Sequence, residues 1–116
     1  MIDLLNIAAA LITIALGAIG WLSPRTAASA LDLQPAGSTM GLSELRASAG
    51  GLFVALGLGA ILIGAPLAYL MLGLAYAGAA LGRATSLVID RPPLAKALFY
   101  FAVEAVLALW LILANL

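Results

Sequence analysis

The sequence lacks cysteine and histidine altogether, and only 9% of its 116 residues are charged. Without cysteine or histidine, disulfides, thiol redox chemistry, structural zinc sites and histidine-ligated haem are excluded. Positive and negative residues balance to a formal net charge of zero, which gives no electrostatic reason to expect nucleic acid as a partner. We therefore expect no cofactor, no metal ion and no nucleic-acid partner.

Apolar residues make up 66% of the chain. Soluble domains carry about 25% charged residues. A soluble fold of this length would leave roughly 40% of the surface of its unfolded chain in water, and this chain has too few polar residues to cover it. The composition therefore predicts an integral membrane protein with the lipid bilayer as its solvent.

Prolines and charges divide the chain into four apolar segments. A bilayer core about 30 Å thick needs about 20 helical residues, and residues 2–22, 43–64, 66–89 and 94–115 meet this length. Gly64 suits the end of a helix and Pro66 the first turn of the next. We predict an all-α fold, a single four-helix transmembrane bundle. Ser23 and Pro24 begin a short interfacial helix within the loop 23–42.

A cleavable signal peptide is the alternative for the first segment. Residues 28–30, Ala-Ser-Ala, have the small residues of a cleavage site. However, no Lys or Arg precedes the apolar stretch, and Asp3 stands where a positive charge belongs. We therefore expect the first segment to be retained as a membrane span.

The positive residues predict the orientation. With four spans, all of them lie at or near one side of the membrane: Arg25, Arg46, Arg83, Arg91 and Lys96. Cytoplasmic loops carry the excess of Lys and Arg. Loops 23–42 and 90–93 should therefore face the cytoplasm, and both termini should lie on the other side.

A polar cluster is expected in the cytoplasmic half of the bundle. Glu104 lies about 15 Å inside the fourth segment and Arg83 about 9 Å inside the third, at 1.5 Å per residue. Tyr100 shares a helix face with Glu104, and Glu44 and Arg46 enter from the same end. Three roles stay open: an ion pair that sets helix register, a pocket for a lipid headgroup, quinone or small solute, and a proton relay.

Small residues recur at a spacing that favours close helix packing. Gly51, Ala55 and Gly59 repeat every four residues in the second segment, and Gly78 and Gly82 do so in the third. The adjacent pair Gly50-Gly51 suggests a close helix crossing or a ligand against the backbone. These faces could pack within the bundle, form a dimer or dock on another membrane protein.

No catalytic constellation is evident, because the chain has neither a histidine base nor a cysteine nucleophile. The size and the small-residue faces favour a non-catalytic accessory or assembly subunit that docks on a larger membrane complex. The alternative is a binder or transporter of a small molecule, lipid or quinone that uses the Arg-Glu cluster.

Two segments carry a resemblance to a known family. Residues 43–52 (SELRASAGGL) and 82–92 (GRATSLVIDRP), with Glu104 and the string WLSP at 21–24, resemble the bacterial membrane family DUF4345, a domain of unknown function. The resemblance covers nearly the whole chain and implies a four-helix protein of the bacterial cytoplasmic membrane with no assigned activity. A looser likeness is to DoxX-type membrane proteins. The family motifs add Asp90 to the candidate site residues.

The predicted orientation can be tested by cysteine labelling, since the natural chain has no cysteine. In intact bacterial cells, a membrane-impermeant maleimide should label a cysteine at Leu116 and spare one at Ser38. Labelling of Ser38→Cys from outside, before the membrane is permeabilised, would reverse the assigned topology.

Overall fold

The computed structural model describes residues 2–116, and all regular secondary structure within that range is helical. The first long helix, α1, is followed by a short one, α2, and the second apolar segment contains α3, a π-helical turn and α4. Two further long helices, α5 and α6, complete the chain. The bounds are α1 Ile2–Leu22, α2 Pro24–Ala30, α3 Met40–Glu44, the π-helix Leu45–Gly51, α4 Leu52–Ile63, α5 Pro66–Ile89 and α6 Leu94–Ala114.

Four stretches are long and apolar enough to cross a membrane: α1, the continuous helical stretch Met40–Ile63, α5 and α6. Their bounds differ from the sequence-based ones by three residues at most. The predicted all-α class with four membrane-length helices is therefore confirmed. The packing of these helices into one bundle stays a prediction, as does the interfacial position of α2.

Helix ends follow the predicted turn chemistry. Gly64 has φ +70°, the left-handed conformation that ends a helix, and Pro66 opens α5. Pro24 likewise opens α2, with Ser23 before it. The Ser23 hydroxyl does not cap the α2 backbone, and its Oγ lies 2.6 Å from Oγ1 of Thr26 instead. Prolines and glycines thus fix where the helices begin and end.

The chain divides into two compact units that separate near residue 62. In the first unit, α1 packs closely on the π-helix and α4 through glycines of both partners. A Cβ built on Gly20 would lie 2.7 Å from the Ala49 carbonyl oxygen, and one on Gly50 would lie 2.5 Å from the Trp21 nitrogen. Gly57 is as tight, 2.8 Å from the Ala10 oxygen. Only glycine allows these backbones to approach so closely.

The packing face of the second segment differs from the predicted one. Gly50 makes the expected close crossing, but Gly51 would meet only its own helix, and Ala55 is exposed. Nothing within residues 2–116 would lie within 4 Å of a Cβ on Gly59. The residues that meet α1 are instead Gly50 and Gly57, seven residues apart, which is close to two α-helical turns and keeps both on one face.

In the second unit, α5 and α6 form a helical hairpin around one close contact. A Cβ on Gly73 would lie 2.8 Å from Cβ of Leu111. Tyr69, Leu72 and Tyr76 are buried on the same face of α5. Gly78 and Gly82, predicted as packing residues, have no described atom within 4 Å of an added Cβ. Gly78 follows Gly73 by five residues, about 140° around the helix, and therefore faces away from α6.

The role of the close crossing predicts opposite effects for two glycines of the same segment. Gly50→Ala should destabilise the detergent-solubilised protein by about 1–3 kcal/mol, because the methyl group collides with the Trp21 backbone. Gly59→Ala, where the added carbon meets open space, is the matched control and should leave stability unchanged or higher by less than about 1 kcal/mol. Equal losses in thermal unfolding would contradict the assigned packing face.

Candidate functional site

Three charged residues lie within the membrane-length helices of the second unit: Lys96 at the start of α6, and Arg83 and Glu104 farther from the helix ends. Arg83 is six residues before the end of α5, and Glu104 is ten residues after the start of α6. A lone charge at the centre of a membrane helix costs roughly 2.5–3.5 kcal/mol on insertion scales. Because the hairpin is antiparallel, both depths are counted from the turn at residues 90–93: about 9 Å for Arg83 and about 15 Å for Glu104. Two long side chains can bridge this difference.

Arg83 and Glu104 form the ion pair expected from the sequence. Arg83 Nε donates to Glu104 Oε1 at 3.1 Å, and Nη2 donates to Oε2 at 3.0 Å. Both carboxylate oxygens therefore accept from the planar edge of one guanidinium. This two-bonded geometry is the strongest form of a carboxylate–guanidinium contact and fixes the direction of both side chains.

Tyr100 completes the site from the turn of α6 before Glu104. The guanidinium carbon of Arg83 lies 5.3 Å from the centre of the Tyr100 ring. A cation over an aromatic face is attracted by the negative face of the ring. Phe99 stands edge-on to this ring, with 5.8 Å between centroids and planes at 61°. Arg83 is therefore held by a carboxylate and an aromatic face together.

The exposed fractions of the two charged side chains are 31% for Arg83 and 16% for Glu104. With its charges opposed and both carboxylate oxygens bonded, the pair presents no net charge to its surroundings. This arrangement suits a contact that fixes the register of α5 against α6. Each oxygen of Glu104 accepts one hydrogen bond from Arg83, so the carboxylate is directed at the guanidinium.

The structure brings together three of the six predicted cluster residues. Glu44 and Arg46 belong to the unit of residues 3–62, and both are exposed there. Asp90 is also exposed and caps the end of α5, where its backbone N–H donates to the Ser86 carbonyl at 2.8 Å. A binding role for any of the six residues stays a prediction.

A contact that the sequence did not reveal involves Arg46. Its Nη1 donates to the backbone carbonyl of Trp21 at 2.7 Å. The last carbonyls of a helix have no partner within the helix, and a positive charge at that end is favourable. Arg46 therefore caps α1. The only available signal was its position at the membrane boundary, which does not specify a backbone acceptor.

The fold and the charged pair together define an all-helical protein with four candidate membrane spans and an internally neutralised ion pair. The family described as "Domain of unknown function (DUF4345)" matches residues 2–115, so the chain belongs to that family. This confirms the resemblance seen in the sequence. No curated protein and no solved structure matches the chain.

The ion pair predicts a strong coupling between its two members. Glu104→Gln and Arg83→Gln should each lower the melting temperature in detergent, since each leaves one charge without its partner. The double variant should lose less than the sum, with a coupling of about 0.5–3 kcal/mol. Asp90→Asn, which removes an exposed carboxylate, is the control and should change little. Strictly additive losses would show that the pair contributes no coupling.

Proposed function

We propose that this protein is a non-catalytic accessory or assembly subunit that docks on a larger complex in the bacterial cytoplasmic membrane. Loops 23–42 and 90–93 face the cytoplasm in this proposal, and both termini lie on the other side. The docking surface is the face of α5 turned away from α6. We call it the open face, formed by Leu74, Gly78, Leu81, Gly82 and Thr85.

The observation that carries this proposal is the contrast between the two faces of α5. On one face Leu72 is 1% exposed, and Gly73 meets α6 at van der Waals distance or closer. On the open face Leu81 is 71% exposed, and carbons added to Gly78 and Gly82 would meet nothing within 4 Å among residues 63–116. The small residue on one face of α5 therefore packs against α6, whereas the small residues on the open face do not.

A transmembrane helix is the occupant that this surface fits. Glycines four residues apart form a shallow groove in which a second helix backbone can approach closely. A helix backbone gains van der Waals contact by packing into such a groove, and helix association in membranes depends on this contact. Lipid tails have no such requirement for a groove. The hydroxyl of Thr85 donates to the Leu81 carbonyl at 2.9 Å, so its hydrogen is used within α5. The open face therefore offers shape rather than hydrogen bonds.

The Arg-Glu cluster gives less support to the alternative function, a binder or transporter of a small molecule, lipid or quinone. Arg83 and Glu104 already satisfy each other through two hydrogen bonds. A ligand at this place would meet two charges that already neutralise each other, so it would gain little from either charge. The geometry therefore supports a role in holding α5 to α6 rather than in binding.

Substitutions on the open face test the proposal. The wild-type protein, purified from its own host in mild detergent, should appear in native mass spectra with a stoichiometric membrane-protein partner. Gly78→Leu with Gly82→Leu should lose that partner, because two large side chains fill the groove. Gly78→Ala with Gly82→Ala is the matched control, since small residues keep the groove, and it should retain the partner.

Melting temperature separates docking from folding in this experiment. The alanine variant should melt close to the wild type, because a Cβ added at Gly78 or Gly82 meets no described atom within 4 Å. The leucine variant should melt close to the alanine variant, because its side chains leave the helix on the face turned away from α6. A partner that persists in the leucine variant would exclude the open face as the docking surface. A wild-type protein that runs as a monomer, or as a pair of identical chains, would contradict the accessory function.

A further inference from the structure

A cavity of about 520 Å³ lies in the first unit, at the end of α1 and the beginning of α3. Two arginines, Arg25 and Arg46, and three hydroxyl residues, Ser23, Thr39 and Ser43, are among the residues that line it. None of the residues that line it is acidic. Arginine and hydroxyl side chains are the types that bind phosphate in proteins, although the Ser23 hydroxyl already pairs with Thr26 at 2.6 Å.

We propose that this cavity binds the phosphate headgroup of an anionic phospholipid. The Arg side chains supply the charge, and the hydroxyls supply additional donors. The site is independent of the open face and of the Arg83–Glu104 pair. Evidence against lipid binding here would therefore not count against the proposed accessory function, and the reverse is also true.

Arg46 is held in place for such a role. Its Nη1 donates to the Trp21 carbonyl at 2.7 Å, which fixes the guanidinium at the end of α1. A guanidinium has five N–H donors in a planar fork, and this bond uses one of them. An arginine whose direction is already fixed loses less conformational freedom when it binds an anion.

The position of the cavity favours a lipid over a soluble anion. One candidate span, α1, ends at Leu22, and the next begins at Met40, so the cavity lies where two spans meet the polar boundary. Trp21, next to it in sequence, is 48% exposed and belongs to the residue type that settles at the membrane interface. Leu22 and Leu42 line the same cavity and provide apolar wall for the upper acyl chain.

A second cavity, of about 400 Å³, continues from the first and shares Arg25 and Leu42 with it. Its lining differs in character, because Asp32 and Gln34 are part of it. A carboxylate opposes a phosphate through like charge. The first cavity is therefore the phosphate site, and the second offers room and polar groups to the rest of a headgroup.

Lipid binding can be measured by native mass spectrometry of the purified full chain. Phosphatidylglycerol should bind the wild type at least about tenfold more tightly than phosphatidylcholine, a difference of about 1.4 kcal/mol. Arg25→Gln with Arg46→Gln should reduce this preference to about twofold or less. Arg91→Gln with Lys96→Gln removes the same charge at residues that do not line the cavity and should keep the preference.

Arg46→Gln also removes the cap on α1, so Arg25→Gln is measured alone as well. This single variant should melt like the wild type and still bind phosphatidylglycerol several-fold more weakly. An unchanged preference in the cavity variants, or an equal loss in the Arg91 and Lys96 control, would overturn the proposed site. Displacement of phosphatidylglycerol by millimolar inorganic phosphate would also overturn it, since the ligand would then be the free anion.

Discussion

Lipid offers no hydrogen-bond partners, so each polar group within a membrane span must find its partner in the protein. The Arg83–Glu104 pair is the largest consequence of this constraint in the chain. Two charges that would each be costly alone cancel through two parallel hydrogen bonds. Smaller polar groups obey the same rule: the hydroxyl of Thr13, fully buried in α1, donates to the Ala9 carbonyl at 2.8 Å. The helices can then expose apolar surface to lipid over most of their length.

Close backbone approach supplies the second stabilising element, because hydrophobic burial does little to hold helices together in a membrane. Helix contacts there depend on van der Waals packing, and glycines make it possible at Gly20 and Gly50 in the first unit and at Gly73 in the second. Glycines that make no such contact, at Gly78 and Gly82, lie on the one helix that also carries Arg83. The helix α5 therefore carries a charge that is paired with Glu104 and a small-residue face that α6 does not cover. These two features together underlie the proposed role as a docking subunit.

Much of the fold could be predicted from local features. A glycine followed closely by a proline, as at Gly64 and Pro66, marks a helix boundary. The depths of Glu104 and Arg83 follow from the rise per residue of a helix. The packing register could not be predicted, because glycines stand at Gly50, Gly51, Gly57 and Gly59, and more than one pair has helical spacing. Small residues at four-residue spacing favoured Gly51 and Gly59, whereas Gly50 and Gly57 are the ones that contact α1. The cap that Arg46 places on Trp21 was also beyond prediction, since it joins residues 25 positions apart.

The Arg83–Glu104 contact joins α5 to α6, and it should persist in a lipid bilayer. Solid-state NMR can measure the dipolar coupling between labelled arginine side-chain nitrogens and the glutamate carboxyl carbon in reconstituted protein. The chain has two glutamates, so Glu44→Gln leaves Glu104 as the only labelled carboxyl. We expect a coupling as strong as a direct hydrogen-bonded contact gives, and its loss on Arg83→Gln. No coupling in the bilayer, or one that survives Arg83→Gln, would contradict the Arg83–Glu104 contact.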